Sequence, residues 1–258
     1  MPALGLGVYD MYKETAIQAV EDALSIGYRL IDTASMYDNE EEIGKAIRNS
    51  KVDRKEIFLT TKLNNTDHGY EAALNAFEAS LEKLNQDYVD LYLIHWPIKE
   101  GRTNSWLALE KLYAEKRVRA IGVANYNIAL LEELKSIAHI VPAVNQIEFS
   151  PWLFQENLLN YCKKAGIQVQ SYSPITRGLK FSDARLDVLC KKYGKTPAQI
   201  VLNWHLQLGL STIPKSSNKA RLMENFEASH FSLLAEDMQI LNSFNENFRI
   251  CDDPQSYE

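Results

Sequence analysis

The stretch Tyr28–Glu40, YRLIDTASMYDNE, decides the fold. It opens as an apolar strand, and Asp32 stands where the apolar run stops. Tyr37 follows in the loop that should leave the strand. Two later strands end in the same way: Ile57–Thr61 (IFLTT) runs into Lys62, and Val89–Ile94 (VDLYLI) runs into His95. In a parallel sheet such ends lie on one side. If these strands are neighbours, Asp32, Tyr37, Lys62 and His95 converge on one pocket.

Outward from that stretch, apolar strands alternate with segments of helical spacing. The strands are Leu4–Val8, Tyr28–Ile31, Ile57–Thr61, Val89–Ile94, Val118–Val123, Ala143–Ile147, Ile167–Tyr172 and Ser211–Ile213. Between and after them the spacing predicts helices over Thr15–Ile26, Glu40–Arg48, Tyr70–Leu84, Ser105–Lys116, Ile128–Ile137 and Gln155–Ala165. Two more, Ser182–Tyr193 and Pro197–Leu208, precede the last strand; Lys219–Phe226 and Ala235–Asn245 follow it. Alternation of this kind means parallel strands joined by crossover helices. IFLTT and VDLYLI lack clean alternation, as strands covered on both sides do. Eight units favour a single-domain (β/α)8 TIM barrel over residues 1–258. The alternative doubly wound fold is weaker, because Gly5-Leu-Gly7 lacks the third glycine of a dinucleotide fingerprint.

The 258 residues suit one such barrel, and a hydrophobic fraction of 46% supplies its core. A net charge of −6 excludes a generally basic nucleic-acid-binding face. Cys162, Cys190 and Cys251 lie far apart and read as reduced thiols. The start, MPALGLGVYD, has neither the basic nor the apolar part of a signal peptide, and no apolar run of about 18 residues predicts a membrane span. A cytoplasmic monomer is expected.

Barrel chemistry sits at the C-terminal ends of the strands. Taken singly, an Asp there caps a helix, a Lys is solvated and a His is structural. Together they suit proton transfer to a carbonyl oxygen. A free phenol has a pKa of about 10, too high for neutral pH. The Lys62 cation should lower the pKa of Tyr37, Asp32 should hold Lys62 charged, and His95 should orient the substrate oxygen. There is no obvious nucleophile and no cluster with metal spacing. A nicotinamide is the natural source of the other hydrogen.

With these residues the chain resembles the aldo-keto reductase superfamily. The matching stretches are Gly27–Glu40, Thr61–Leu63 (TKL), Val89–Pro97 (VDLYLIHWP), Arg119–Asn125 (RAIGVAN), Val144–Glu148 (VNQIE), Gln170–Pro174 (QSYSP) and Ile213–Asn225 (IPKSSNKARLMEN). The resemblance is greatest to short bacterial and protozoal members that reduce small aldehydes, ketones, methylglyoxal or diketo-sugar acids. It implies a catalytic tetrad of Asp32, Tyr37, Lys62 and His95, with Tyr37 as the acid. It places Asn125 and Gln146 on the nicotinamide carboxamide, Tyr172 against the ring, and Ser173 and Ile175 at the pyrophosphate. A helix start carrying Lys215, Ser216, Ser217 and Arg221 is an anion site. The resemblance puts the adenosine 2′-phosphate there and Glu224 and Asn225 near the adenine, which implies NADPH. Tyr9, Met36 and Trp96 should line the substrate pocket.

Departures from the family pattern are also expected. The N-terminal hairpin that plugs the barrel is absent or truncated. Ala124 stands where Ser is common, and Asn64 where an aromatic often lines the pocket. Short segments after Pro97 and Phe248 predict an open pocket. A cofactor-binding regulatory or scaffold subunit with vestigial catalysis is the main alternative function. An unrelated barrel hydrolase or isomerase is a third reading, against which the absence of metal ligands and paired carboxylates weighs.

Overall fold

In the computed structural model, which describes residues 1–257, eight strands lie side by side in chain order, every pair parallel. They are β1 (Leu6–Gly7), β2 (Leu30–Asp32), β3 (Phe58–Leu63), β4 (Val89–Ile94), β5 (Val118–Ala124), β6 (Val144–Glu148), β7 (Gln168–Tyr172) and β8 (Ser211–Thr212). The ring closes between β8 and β1. Leu4 bridges Thr212, Gly5 N–H donates to the Thr212 carbonyl at 2.9 Å, and Thr212 N–H donates to the Ala3 carbonyl at 2.8 Å. Residues 1–5 form no hairpin and lie against β8.

The helices follow from their buried spacing. In α1 (Lys13–Ile26), Ala16, Val20, Ala23 and Leu24 fall on one buried face, and Gly27, at φ 127°, ends the helix. After α2 (Glu40–Asn49), helix α3 (Tyr70–Leu84) buries Ala73, Phe77, Leu81 and Leu84 and stops at Asn85, in the left-handed region. Gly44 lets these two helices touch: a Cβ there would stand 2.0 Å from the Leu84 carbonyl oxygen. The ring is completed by α4 (Arg102–Ala114), α5 (Ile128–Ile137), α6 (Glu156–Ala165), α7 (Ala184–Tyr193), α8 (Pro197–Gln207), α9 (Lys219–Phe226) and α10 (Ala235–Asn242). Thr196 and Gln199 form a capping box at the start of α8. The main core lies between strands and helices.

Strand side chains alternate between the two faces of the sheet. Leu91, Leu93 and Val144 form a second apolar cluster with Phe58 and Ala120, apart from the main core and inside the ring. Continuing that face along each strand gives Lys62 on β3, His95 just past β4, Gln146 on β6 and Gln170 on β7. The alternate face of β4 carries Asp90, fully buried near the strand's start. Its carboxylate accepts from Arg54 at 2.9 Å, Arg119 at 2.8 Å and Leu59 N–H at 3.0 Å. These bonds tie β3, β4 and β5 together at the end of the barrel away from His95.

Candidate active site

Asp32 ends β2, Lys62 lies in β3, and His95 follows β4, so the barrel brings all three to one end. Tyr37 joins them from a single 3-10 turn, Ser35–Tyr37, which the left-handed Asp38 closes. Lys62 is fully buried and spends its donors on three oxygens: Asp32 Oδ1 at 2.6 Å, the Thr33 carbonyl at 2.9 Å and the Tyr37 hydroxyl at 3.3 Å. The Tyr37 ring lies edge-on to His95, with centroids 5.6 Å apart, and to Tyr9 at 5.2 Å.

The electrostatics correct one expectation. Burial raises the pKa of Tyr37 above the ordinary phenol value, against the opposing pull of Lys62. The lysine does favour phenolate as expected, but desolvation outweighs it, so Tyr37 holds its proton. Burial, and then the Lys62 charge, push His95 well below the usual imidazole range, which keeps that ring neutral. Burial also raises Asp32 while Lys62 and Gln146 pull it down. Burial lowers Lys62, but Asp32 and Tyr37 outweigh it and leave the lysine above its ordinary value. Both Asp32 oxygens accept, one from Lys62 and one from Gln146, which is the bonding of a carboxylate beside an ammonium.

A cavity of ≈ 1030 Å³ runs from this cluster to the start of α9. Every residue predicted for the tetrad, the cofactor or the substrate pocket lines it except Lys62, which lies buried beneath. Asn125, at φ 66°, donates to the His95 carbonyl at 2.9 Å and accepts from the Tyr172 hydroxyl at 2.8 Å. Gln146 donates to Asp32 Oδ2 at 2.7 Å and to Gln170 Oε1 at 2.6 Å. Ser173 and Ile175 line the middle, in a loop where Ser173, Thr176 and Arg177 all take positive φ. Positive φ is rare for a β-branched residue such as Thr176, and strain of this kind gathers at binding loops.

At the far end Asn218 caps α9 by accepting from Arg221 N–H at 3.1 Å. Ser216 supports that cap, accepting from Asn218 N–H at 3.1 Å. Ser217 lines the cavity without a cap bond of its own. Lys215 and Arg221 enter none of the ion pairs found among the described residues. Glu224 is already held by the Thr196 hydroxyl at 2.7 Å.

Tyr9, Met36 and Trp96 line the mouth. Asn65, not Asn64, faces the cavity: β3 runs on to Leu63, two residues past the expected Thr61, and the turn Asn65–Asp67 follows. The mouth is also less open than the short C-terminal segment suggests. The buried Glu148 carboxylate accepts from the backbone N–H groups of Ile250 at 2.6 Å and Cys251 at 3.1 Å. That anchor draws the tail inward, so Ile250, Cys251 and Asp252 become lining residues and Tyr257 packs on Trp96, centroids 4.7 Å apart. The tail has no periodicity by which a sequence reading could have placed it. Gln170 was missed as well, although its place two residues before Tyr172 puts it on the inward face.

Residues 3–246 match the profile of the aldo/keto reductase family. The chain is 46% identical over 255 residues to the glyoxal reductase of Bacillus subtilis, covering 98% of this chain and 92% of the relative. It is 47% identical over 262 residues to the 9,11-endoperoxide prostaglandin H2 reductase of Trypanosoma cruzi, covering 100% and 92%. Among solved structures, an aldo-keto reductase from a deep-sea metagenome library superposes with a TM-score of 0.96 at 43% identity, covering 98% of this chain and 94% of the other. A variant of Gox0644 in complex with NADPH gives 0.94 at 40% identity, covering 99% and 94%. The fold, the order of its motifs and these matches agree: the chain belongs to the aldo/keto reductase family.

Proposed function

We propose that the protein reduces small aldehydes and ketones to alcohols with NADPH, Tyr37 giving the proton. The observation that carries this reading is the placing of Lys62, whose three bonds join Asp32, the Thr33 carbonyl and the Tyr37 hydroxyl at the closed end of a nucleotide-sized cavity. NADPH, once bound, supplies the hydride.

The residues present fit that nucleotide. Among the described residues Lys215 and Arg221 have no carboxylate partner, and they stand at a capped helix start, where a 2′-phosphate would find two cations and free N–H groups. Tyr172 offers a ring face, and the amides of Asn125 and Gln146 lie between it and the cluster. As the carbonyl oxygen gains negative charge, Tyr37 gives up its proton. The phenolate that forms is met at once by the buried Lys62 cation, which Asp32 holds in place. The neutral ring of His95 is free to orient the oxygen. Glyoxal-type aldehydes are the substrate class to try first, since the Bacillus relative is a glyoxal reductase. The cavity is complete within one chain, which suits a monomer, and the reading includes action in the cytosol.

The test is consumption of NADPH in the presence of methylglyoxal, a nitrobenzaldehyde and a panel of ketones. Protein that binds NADPH but turns over none of them would be a cofactor-binding subunit, and the reductase reading would be wrong.

A further inference from the structure

A line of directed hydrogen bonds crosses the inside of the barrel, from the first residues of the chain to Asp32. The Ser211 hydroxyl donates its one proton to the Pro2 carbonyl at 3.1 Å, so it can only accept from Gln170 Nε2, at 3.2 Å. Gln170 Nε2 also faces Met1 Sδ at 3.8 Å, which leaves Gln170 Oε1 as an acceptor. That oxygen accepts from Gln146 Nε2 at 2.6 Å, and the same nitrogen donates to Asp32 Oδ2 at 2.7 Å. Gln170 and Ser211 are buried at 0% and 2% exposure, so no solvent competes for these bonds. A carbonyl at one end and a carboxylate at the other can only accept, so the direction of every bond between them is fixed. Both N–H groups of Gln146 are spent, and its Oε1 is the atom left for the cavity.

We propose that Gln170 is a positioning residue that sets the orientation of the Gln146 amide, so that the cavity presents a hydrogen-bond acceptor to the nicotinamide carboxamide. This rests on the NADPH reading above and adds the end of the carboxamide that is recognised, its NH₂ group. Without the Gln170 oxygen, Gln146 keeps its bond to Asp32 Oδ2 but loses the partner of its second N–H, so the amide swings on one anchor and that N–H competes with Oε1 for the cavity.

The experiment compares dissociation constants, by calorimetry, for NADP⁺ and its 3-acetylpyridine analogue, whose acetyl group replaces the carboxamide and has no N–H. The wild-type protein should prefer NADP⁺ by about threefold to tenfold, the worth of one neutral hydrogen bond. In Gln170→Met, close in volume but without the amide, the preference should fall to within about twofold, mainly through weaker NADP⁺ binding. Ser211→Ala removes the orienting group one step further away, and should reduce the preference by a smaller factor. It also serves if Gln170→Met does not fold. An unchanged preference in the folded variants, or equal losses for both nucleotides, would show that Gln170 only packs the interior, and would overturn the proposal. A wild-type protein that binds both equally well would also overturn it. One that binds neither would overturn it together with the NADPH reading, whereas a failure confined to the variants leaves that reading standing.

Discussion

The Tyr37 hydroxyl accepts a hydrogen bond from Lys62 Nζ at 3.3 Å. An ammonium has no lone pair, so nothing of the tyrosine's own proton is spent on the lysine. The proton is left for whatever enters the cavity, and the cation lies behind the oxygen that carries it.

Tyr37→Phe should therefore lower kcat by about 10²- to 10⁴-fold, the usual worth of one positioned acid. NADPH binding should be spared, since the hydroxyl's bond to Lys62 is made behind the cavity. Turnover and a cofactor titration on the purified variant check this, and near wild-type turnover would remove Tyr37 from its role.

The pH dependence has a definite sign. A histidine acid would have to be charged, and reduction would then rise as pH falls through about 6.5. Burial and Lys62 hold His95 well below that value, so kcat/KM should stay level across that range. On the alkaline side an acid is lost as pH passes its pKa. Burial raises that of Tyr37, so reduction should persist up to at least about pH 10. A pH profile of kcat/KM, stopping short of unfolding, decides both limbs. A tenfold rise per unit toward acid would transfer the role to His95.

Arg221→Ala should separate NADPH from NADH. The guanidinium can grip a 2′-phosphate as a fork, and NADH offers it nothing there. Hydrogen bonds to charged groups are worth about 1.5–3 kcal/mol, so NADPH affinity should fall roughly 10- to 150-fold. The KM for NADH should hardly move, and kcat at saturation should change little because the contact is remote from the reacting atoms. Lys215→Ala should act in the same direction. Measuring both cofactors with both variants settles the assignment, and equal losses would refute it.

Asp90→Ala tests the other end of the barrel. The change strands the Leu59 N–H and removes the counter-charge of Arg54, whose side chain is 19% exposed and keeps its bonds to Gln86, Ile57 and Tyr88, while Arg119, at 63%, returns to water. Breaking a buried pair costs about 3–5 kcal/mol, and the exposure of Arg119 puts this case near about 3 kcal/mol. Chemical denaturation should show that loss, while KM and kcat at a permissive temperature stay close to wild type. A loss below about 1 kcal/mol would mean that the three bonds are not holding β3 to β5.

Much of this architecture can be read from the sequence, for identifiable reasons. VDLYLI, Tyr70–Leu84, Ile128–Ile137 and Lys219–Phe226 keep the limits their pattern predicts, because periodicity and end residues coincide in each. Asp32 falls inside β2, since a polar residue facing a lysine within the barrel does not end a strand. Helix α4 starts at Arg102, three residues before the expected Ser105, because Gly101 at φ 89° makes the turn and Arg102 is held by Glu133. Helix α10 stops at Asn242, freeing Asn245 to accept from Phe154 N–H. The cluster of Asp32, Tyr37, Lys62 and His95 is legible because each residue interrupts an apolar strand or follows its end. The tail over Trp96 is not, since a backbone captured by one buried carboxylate leaves no pattern in its own residues.

The closure of the ring has a consequence for self-association. A barrel with every strand paired offers no open edge for a second chain to extend. The seam between β1 and β8 is the shortest part of that defence, for each of its strands has two residues. Cross-strand aggregation would have to begin by prising Ala3–Gly7 from Thr212 and Pro214. The cavity spans this seam, with Gly7 and Tyr9 on one side and Ile213 and Lys215 on the other. A ligand that fills the cavity therefore acts as a clasp across the barrel's shortest joint, and the folded chain is hardest to open when it is occupied.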